Sequence, residues 1–106
     1  MKAAREEIFG PLAPLSRFRT EDEAVRLAND TEYGLVCFFY TRDLGRTWRL
    51  LERLEYGMVG VNDALVATEV APFGGVKESG IGREGSRHGI DDYVNIKYAC
   101  ISGLGV

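Results

Sequence analysis

A chain of 106 residues with 13 Lys+Arg against 16 Asp+Glu carries a net charge of −3 and a pI near 5.1. This argues against nucleic acid and anionic membrane surfaces as partners. Hydrophobic residues at 45% and charged residues at 27% are ordinary for a globular protein, and the length holds one domain at most.

No apolar run approaches the length of a bilayer span, and the opening Lys2-Ala3-Ala4-Arg5-Glu6-Glu7 has no signal-peptide core. A membrane partner is therefore not expected, and a cytoplasmic setting is. Cys37 and Cys100 lie far apart, so neither a disulfide framework nor a zinc pattern is suggested. With His88 as the single histidine, no metal-ligand cluster is expected.

The first apolar segment, Leu12 to Phe18, alternates in part and contains Pro14, which predicts a strand near a sheet edge. Thr20 followed by Glu23 forms a capping box at a helix start. That helix places Ala24, Leu27 and Ala28 on one face and ends at Asn29-Asp30-Thr31 and Gly34. Leu35 to Tyr40 is a continuous apolar, aromatic run, the pattern of a strand buried on both faces. Asp43 then caps a second helix with a stripe of Leu44, Trp48, Leu51 and Leu54.

Gly57 stops that helix, and Met58 to Val61 forms a further short strand ending at Asn62. Strand, helix, strand, helix, strand predicts an α/β fold with a mostly parallel βαβαβ sheet. Pro72 to Gly85 follows as a Gly-rich loop, punctuated by Phe73, Val76 and Ile81 and so read as packed against something. A helix is expected from about Arg83 to Tyr93, and the period-two pattern of Val94 to Ile101 predicts a C-terminal strand with one apolar face.

Gly80-Ile81-Gly82-Arg83-Glu84-Gly85 matches G-x-G-x-x-G literally. That fingerprint needs a buried strand before it and an acidic residue about 20 positions on. The preceding Val76-Lys77-Glu78-Ser79 is too polar, and no Asp or Glu follows Asp92. The stretch reads as a loop leading into a helix. Cys37 and Cys100 read as inert, without a histidine nearby to activate them. His88, Asp91 and Asp92 read as surface groups, and Glu6-Glu7 as a solvated pair or a source of one ligand carboxylate. From the residues alone, no catalytic set is complete.

Two stretches carry a resemblance. Glu6-Glu7-Ile8-Phe9-Gly10-Pro11 is similar to the E-E-x-F-G-P motif of the aldehyde dehydrogenase superfamily, and Pro72 to Gly80 to its P-F-G-G-x-K-x-S-G motif. The likeness runs in register through Tyr33-Gly34-Leu35, Gly60-Val61-Asn62 and Ile96-Lys97-Tyr98-Ala99-Cys100. Within the superfamily, Glu69 to Pro72 and Gly82 to Ser86 most resemble succinate-semialdehyde dehydrogenases. The resembling portion is C-terminal: residues 1–93 would be part of the catalytic domain, and 94–106 an oligomerisation strand and tail.

In such enzymes a cysteine thiolate attacks the aldehyde, hydride passes to NAD or NADP, and a glutamate-activated water releases the acid. That cysteine, that glutamate and the cofactor domain all match positions upstream of Glu6, so the resemblance implies no catalytic residue in this chain, and the isolated chain is expected to be inactive. It implies that Glu7 binds the nicotinamide ribose and Phe9 lies beside the nicotinamide ring. Phe73 would form a wall of the aldehyde tunnel, with Ala67 and Thr68 on the substrate-facing loop.

Alanine at 67 stands where succinate-semialdehyde dehydrogenases usually have a serine that helps hold the substrate carboxylate. A different semialdehyde or a neutral aldehyde is thus also compatible. The partners implied are a small-molecule aldehyde and further copies of the chain, joined through residues 94–101. The alternative reading is a free-standing truncated product acting as an assembly or interaction module.

Overall fold

The structure is a computed structural model and describes residues 2–105. Its centre is one βαβ unit. Strand β2 (Val36–Phe39) runs parallel to β3 (Met58–Val61), with Val36 opposite Met58 and Phe39 opposite Val61. Helix α2 (Leu44–Arg53) makes the crossover between them. Asp43 caps α2 by accepting the Arg46 N–H at 3.0 Å, a contact worth ~1 kcal/mol in typical helices. Asn62 clips the far end of the pair: Thr41 N–H donates to its Oδ1 at 2.8 Å, and its Nδ2 donates to Thr41 O at 2.8 Å.

Helix α1 (Glu21–Asn29) packs beside this unit. Thr20 Oγ1 accepts the Glu23 N–H at 3.1 Å, as the capping box predicts. The Glu23 carboxylate reaches one residue further back than in the usual box and accepts the Arg19 N–H at 2.8 Å. The facing sides of α1 and α2 are joined by charge: Glu21 pairs with Arg46 at 3.0 Å and Arg49 at 2.9 Å, and Asp22 with Arg53 at 2.7 Å.

A second, two-stranded antiparallel sheet joins β1 (Tyr33–Gly34) to β4 (Val76–Lys77), pairing Tyr33 with Lys77 and Gly34 with Val76. This brings the Gly-rich loop back against the entrance of β2.

The fold is α/β, yet several expectations need correction. Residues 12–18 form no strand: they are exposed and pair with nothing among the described residues, since Pro11 and Pro14 offer no N–H to a ladder. The parallel sheet thus has two strands here, not three. Strand β2 is half-buried, with Phe38 exposed, because only one of its faces is covered within the chain.

On α2 the buried residue is Leu50; Leu44 (71%) and Trp48 (62%) face outward. Their stripe is real but points away from this chain's own core, which Val25, Leu50 and Met58 form. Residues 83–93 are turns ending in a short 3-10 helix, Asp91–Tyr93. Gly85 (φ +65°) and Ser86 (φ +50°) adopt the left-handed region there and break any α-helix. Residues 94–101 run exposed and find no ladder partner among the described residues, with Ile96 wholly bare.

The chain is correspondingly open. Its accessible surface is 9320 Å² and its radius of gyration 19.9 Å. A compact chain of this mass would expose about 5,900 Å² and have a radius of gyration near ~13 Å. No described helix is long and apolar enough to cross a membrane.

Candidate functional site

The Gly-rich loop is shaped by backbone bonds that cross it. Phe73 N–H donates to Glu84 O at 2.9 Å and Glu84 N–H returns to Phe73 O at 2.7 Å. Ser86 N–H donates to Glu69 O at 2.8 Å, and Ala71 N–H closes a turn on Thr68 O at 3.4 Å. The positive φ of Gly85 lets the chain turn back beneath residues 68–71 here.

Arg83 fastens the loop from inside. Its Nη1 donates to Gly75 O at 2.6 Å, Gly82 O at 2.9 Å and Ile81 O at 3.2 Å. These ties hold the segment carrying Ala67, Thr68 and Phe73. Ala67 and Thr68 are exposed on it, and Phe73 is half-buried.

Glu7 lies elsewhere, on a hollow of about 680 Å³ lined among others by Glu6, Leu12, Tyr33, Tyr56 and Ser79. The Tyr33 hydroxyl is pushed above its ordinary value, first by the charge of Glu32 and a hydrogen bond to it, then by desolvation, and last by the charges of Glu7 and Glu78. It therefore stays neutral, a donor beside carboxylates. Among the described residues Glu7 makes no hydrogen bond or ion pair, so its acceptor oxygens are available to hydroxyl donors. Phe9 is 93% exposed and stands outside the hollow. The segment thus offers an uncommitted hydrogen-bond acceptor at Glu7 and, two residues on, an exposed flat apolar face at Phe9.

The hollow beside Glu7 contains none of Phe9, Ala67, Thr68 or Phe73. The chain thus presents two separate clusters rather than one enclosed pocket. A further contact, at Lys77, escapes residue-by-residue reading. Lys77 Nζ donates to Asn29 O at 3.1 Å and Thr31 O at 3.2 Å, and pairs with Glu55 at 2.6 Å. Ser79 Oγ accepts the Gly34 N–H at 3.0 Å nearby. The available signal was their presence in the stretch from Pro72 to Gly80.

The remaining candidates stay outside any site. Cys37 is half-buried in the groove between α1, β2 and α2, where burial pushes its thiol up, so it is protonated at neutral pH and a poor nucleophile. Cys100 is exposed. His88 Nδ1 lies 3.5 Å from Asp91, both at the surface, and Asp92 sits against Gly82 within the would-be fingerprint. Among the described residues no group of three acidic, His or Cys side chains could hold a metal.

The sequence pattern of the aldehyde dehydrogenase family matches residues 1–99, and the chain belongs to that family. It is 66% identical over 104 residues to the 3-sulfolactaldehyde dehydrogenase of Pseudomonas putida, covering 98% of this chain and 21% of that one. It is also 59% identical over 100 residues to the NADP(+) succinate-semialdehyde dehydrogenase of Escherichia coli (strain K12), covering 94% and 21%. Among solved structures, the succinate-semialdehyde dehydrogenase of Burkholderia pseudomallei superposes with a TM-score of 0.91 at 67% identity, over 95% of this chain and 21% of that one. The chain therefore spans about a fifth of the length of the relatives it matches.

Proposed function

We propose that this chain is the C-terminal segment of an NAD(P)-dependent aldehyde dehydrogenase that oxidises a short aldehyde ending in an anion, succinate semialdehyde or a close relative. The observation that carries the reading is the 66% identity, over nearly the whole chain, to an enzyme named for a sulfonated aldehyde. The 67% identity to one named for a carboxylated aldehyde agrees with it.

The segment supplies binding rather than covalent chemistry. The nicotinamide cofactor, when bound, accepts the hydride. Glu7 would accept hydrogen bonds from its ribose, and Phe9 would lie beside the nicotinamide ring. Phe73, held by the Glu84 bridge and the Arg83 clasp, forms a wall against the aldehyde, with Ala67 and Thr68 beside it. Residues 1–93 belong to the catalytic domain, and 94–106 form a strand and tail that cross to a neighbouring copy. Such an exchange covers an apolar face that is bare in the single chain. The setting is cytoplasmic. Alone, the chain has no activated nucleophile and is inactive.

A segment exchange tests this. Residues 1–106 replace the matching C-terminal segment of the E. coli NADP(+) enzyme, and reduced nicotinamide is followed by absorbance. The hybrid is expected to oxidise succinate semialdehyde or 3-sulfolactaldehyde, and the 106-residue chain alone to give none. A folded hybrid inactive on both aldehydes overturns the segment's role. Turnover by the chain alone overturns its inactivity.

A further inference from the structure

We propose that Lys77 is a positioning residue that fixes the two clusters of the candidate site relative to each other, a role resting on the functional reading only where it concerns substrate. Its ammonium has three N–H donors and meets three oxygens: Asn29 O at the last residue of α1, Thr31 O just beyond it, and the Glu55 carboxylate ahead of β3. The first of these acceptors is the last carbonyl of a helix, where a cation is favoured by the peptide dipoles.

The same end is tied a second time by Asn29. Its Nδ2 donates to Arg53 O at 2.8 Å, and its Oδ1 accepts the Glu55 N–H at 3.0 Å. The ends of α1 and α2 and the end of β4 thus meet at one node.

The backbone of Lys77 has φ +56°, a conformation that a non-glycine residue holds only when its surroundings impose it. The side chain is the anchor that imposes it. From this residue the chain runs one way through Gly75 and Gly74 to Phe73. Across the β1–β4 ladder it faces Tyr33, which lines the hollow of Glu7. Losing the anchor releases both directions at once while the β2–β3 ladder keeps its own bonds, because among the described residues the polar contacts of Lys77 touch the βαβ unit only at Glu55, ahead of β3.

The test uses amide exchange on the 106-residue chain and kinetics on the hybrid enzyme. In Lys77→Met, the amides of Glu78 (bonded to Glu32 O) and Gly34 (bonded to Ser79 Oγ) should exchange about tenfold faster or more, the scale of losing one charged hydrogen bond. The amides of α2 should not change. Lys77→Arg keeps the charge, but a planar guanidinium does not reach three diverging oxygens, so it should loosen the same amides.

In the hybrid, Lys77→Met should raise KM for aldehyde more than it lowers kcat. Unchanged protection at Glu78 and Gly34, or full recovery by arginine, overturns the proposal. So does loss of helical circular dichroism in either variant, since it would show Lys77 holding the whole fold rather than the loop. An inactive parent hybrid overturns the functional reading while the exchange result still decides the role of Lys77.

Discussion

Substituting Gly57 by alanine is expected to be among the most damaging single-methyl additions available to this chain. A Cβ placed there meets backbone on the far side of the fold: Gly74 O, Gly75 Cα at 2.7 Å and Gly74 C at 2.8 Å. Favourable carbon–carbon separations lie near 3.5–4.0 Å, so the glycine strand must retreat by roughly 1 Å. Side-chain rotation cannot relieve the contact, because every atom met is main chain.

Retreat is opposed by the Gly57 N–H, which donates to Gly34 O at 3.0 Å, and by the Phe73–Glu84 pair that fixes the strand from behind. Overpacking of this kind costs about 1–3 kcal/mol and occasionally more. With a denaturant slope near the low end for small proteins, ~1 kcal/mol/M, the urea midpoint should fall by ~1 M or more. Urea unfolding of the 106-residue chain, followed by far-UV circular dichroism, measures it. Gly10→Ala serves as the control, since its Cβ would meet nothing within 4 Å. If the two variants unfold at the same midpoint, the close approach at Gly57 is not what holds the loop.

Two further outcomes are expected. Glu21, beside Arg49 and Arg46, has its carboxyl lowered from 4.5 to about 2. Its contribution to stability is therefore complete above about 4.5 and is lost as pH falls toward about 2. Glu21→Gln should flatten the acid side of a plot of urea midpoint against pH in that window, and parallel curves for the two proteins would refute the pairing. In the hybrid enzyme, Ala67→Ser should raise kcat/KM for succinate semialdehyde over an uncharged aldehyde of similar length by about tenfold, the scale of a hydrogen bond to a charged group. A flat ratio would mean that the anion is held elsewhere.

What could be read from sequence was local. Thr20 and Asp43 each cap a helix through the N–H three residues on, and both caps were visible as residue types at fixed spacing. The βαβ unit was visible in two apolar runs separated by a helical period and Gly57. What escaped depended on partners distant in the chain. The segment 12–18 had a strand's partial alternation but no neighbour to pair with. The α2 stripe had the right period, while its direction depended on which face the rest of the molecule covers.

The expected helix after Arg83 failed at Ser86, a non-glycine residue with positive φ that no propensity argument would place there. The site was less legible than the fold. Physical reasoning singled out only the Glu6-Glu7 pair, whereas Phe9, Ala67, Thr68 and Phe73 entered through resemblance to motifs. Lys77 acts through carbonyls 46 and 48 positions away, which spacing alone does not reveal.

The two sheets differ in how far the chain must travel to close them. Val36 and Met58 are 22 positions apart, whereas Gly34 and Val76 are 42 apart. Each doubling of a loop adds only about 0.6 kcal/mol of closure entropy, but the shorter ring also gains the Asp43 cap of α2 and, at its rim, the Asn62 clip as it forms. The parallel unit is therefore the natural nucleus, and the glycine segment docks on a platform already built. Changes in that segment fall on the unfolding rate rather than the folding rate. The glycine segment is thus expected to be the last part of the chain to arrive and the first to leave.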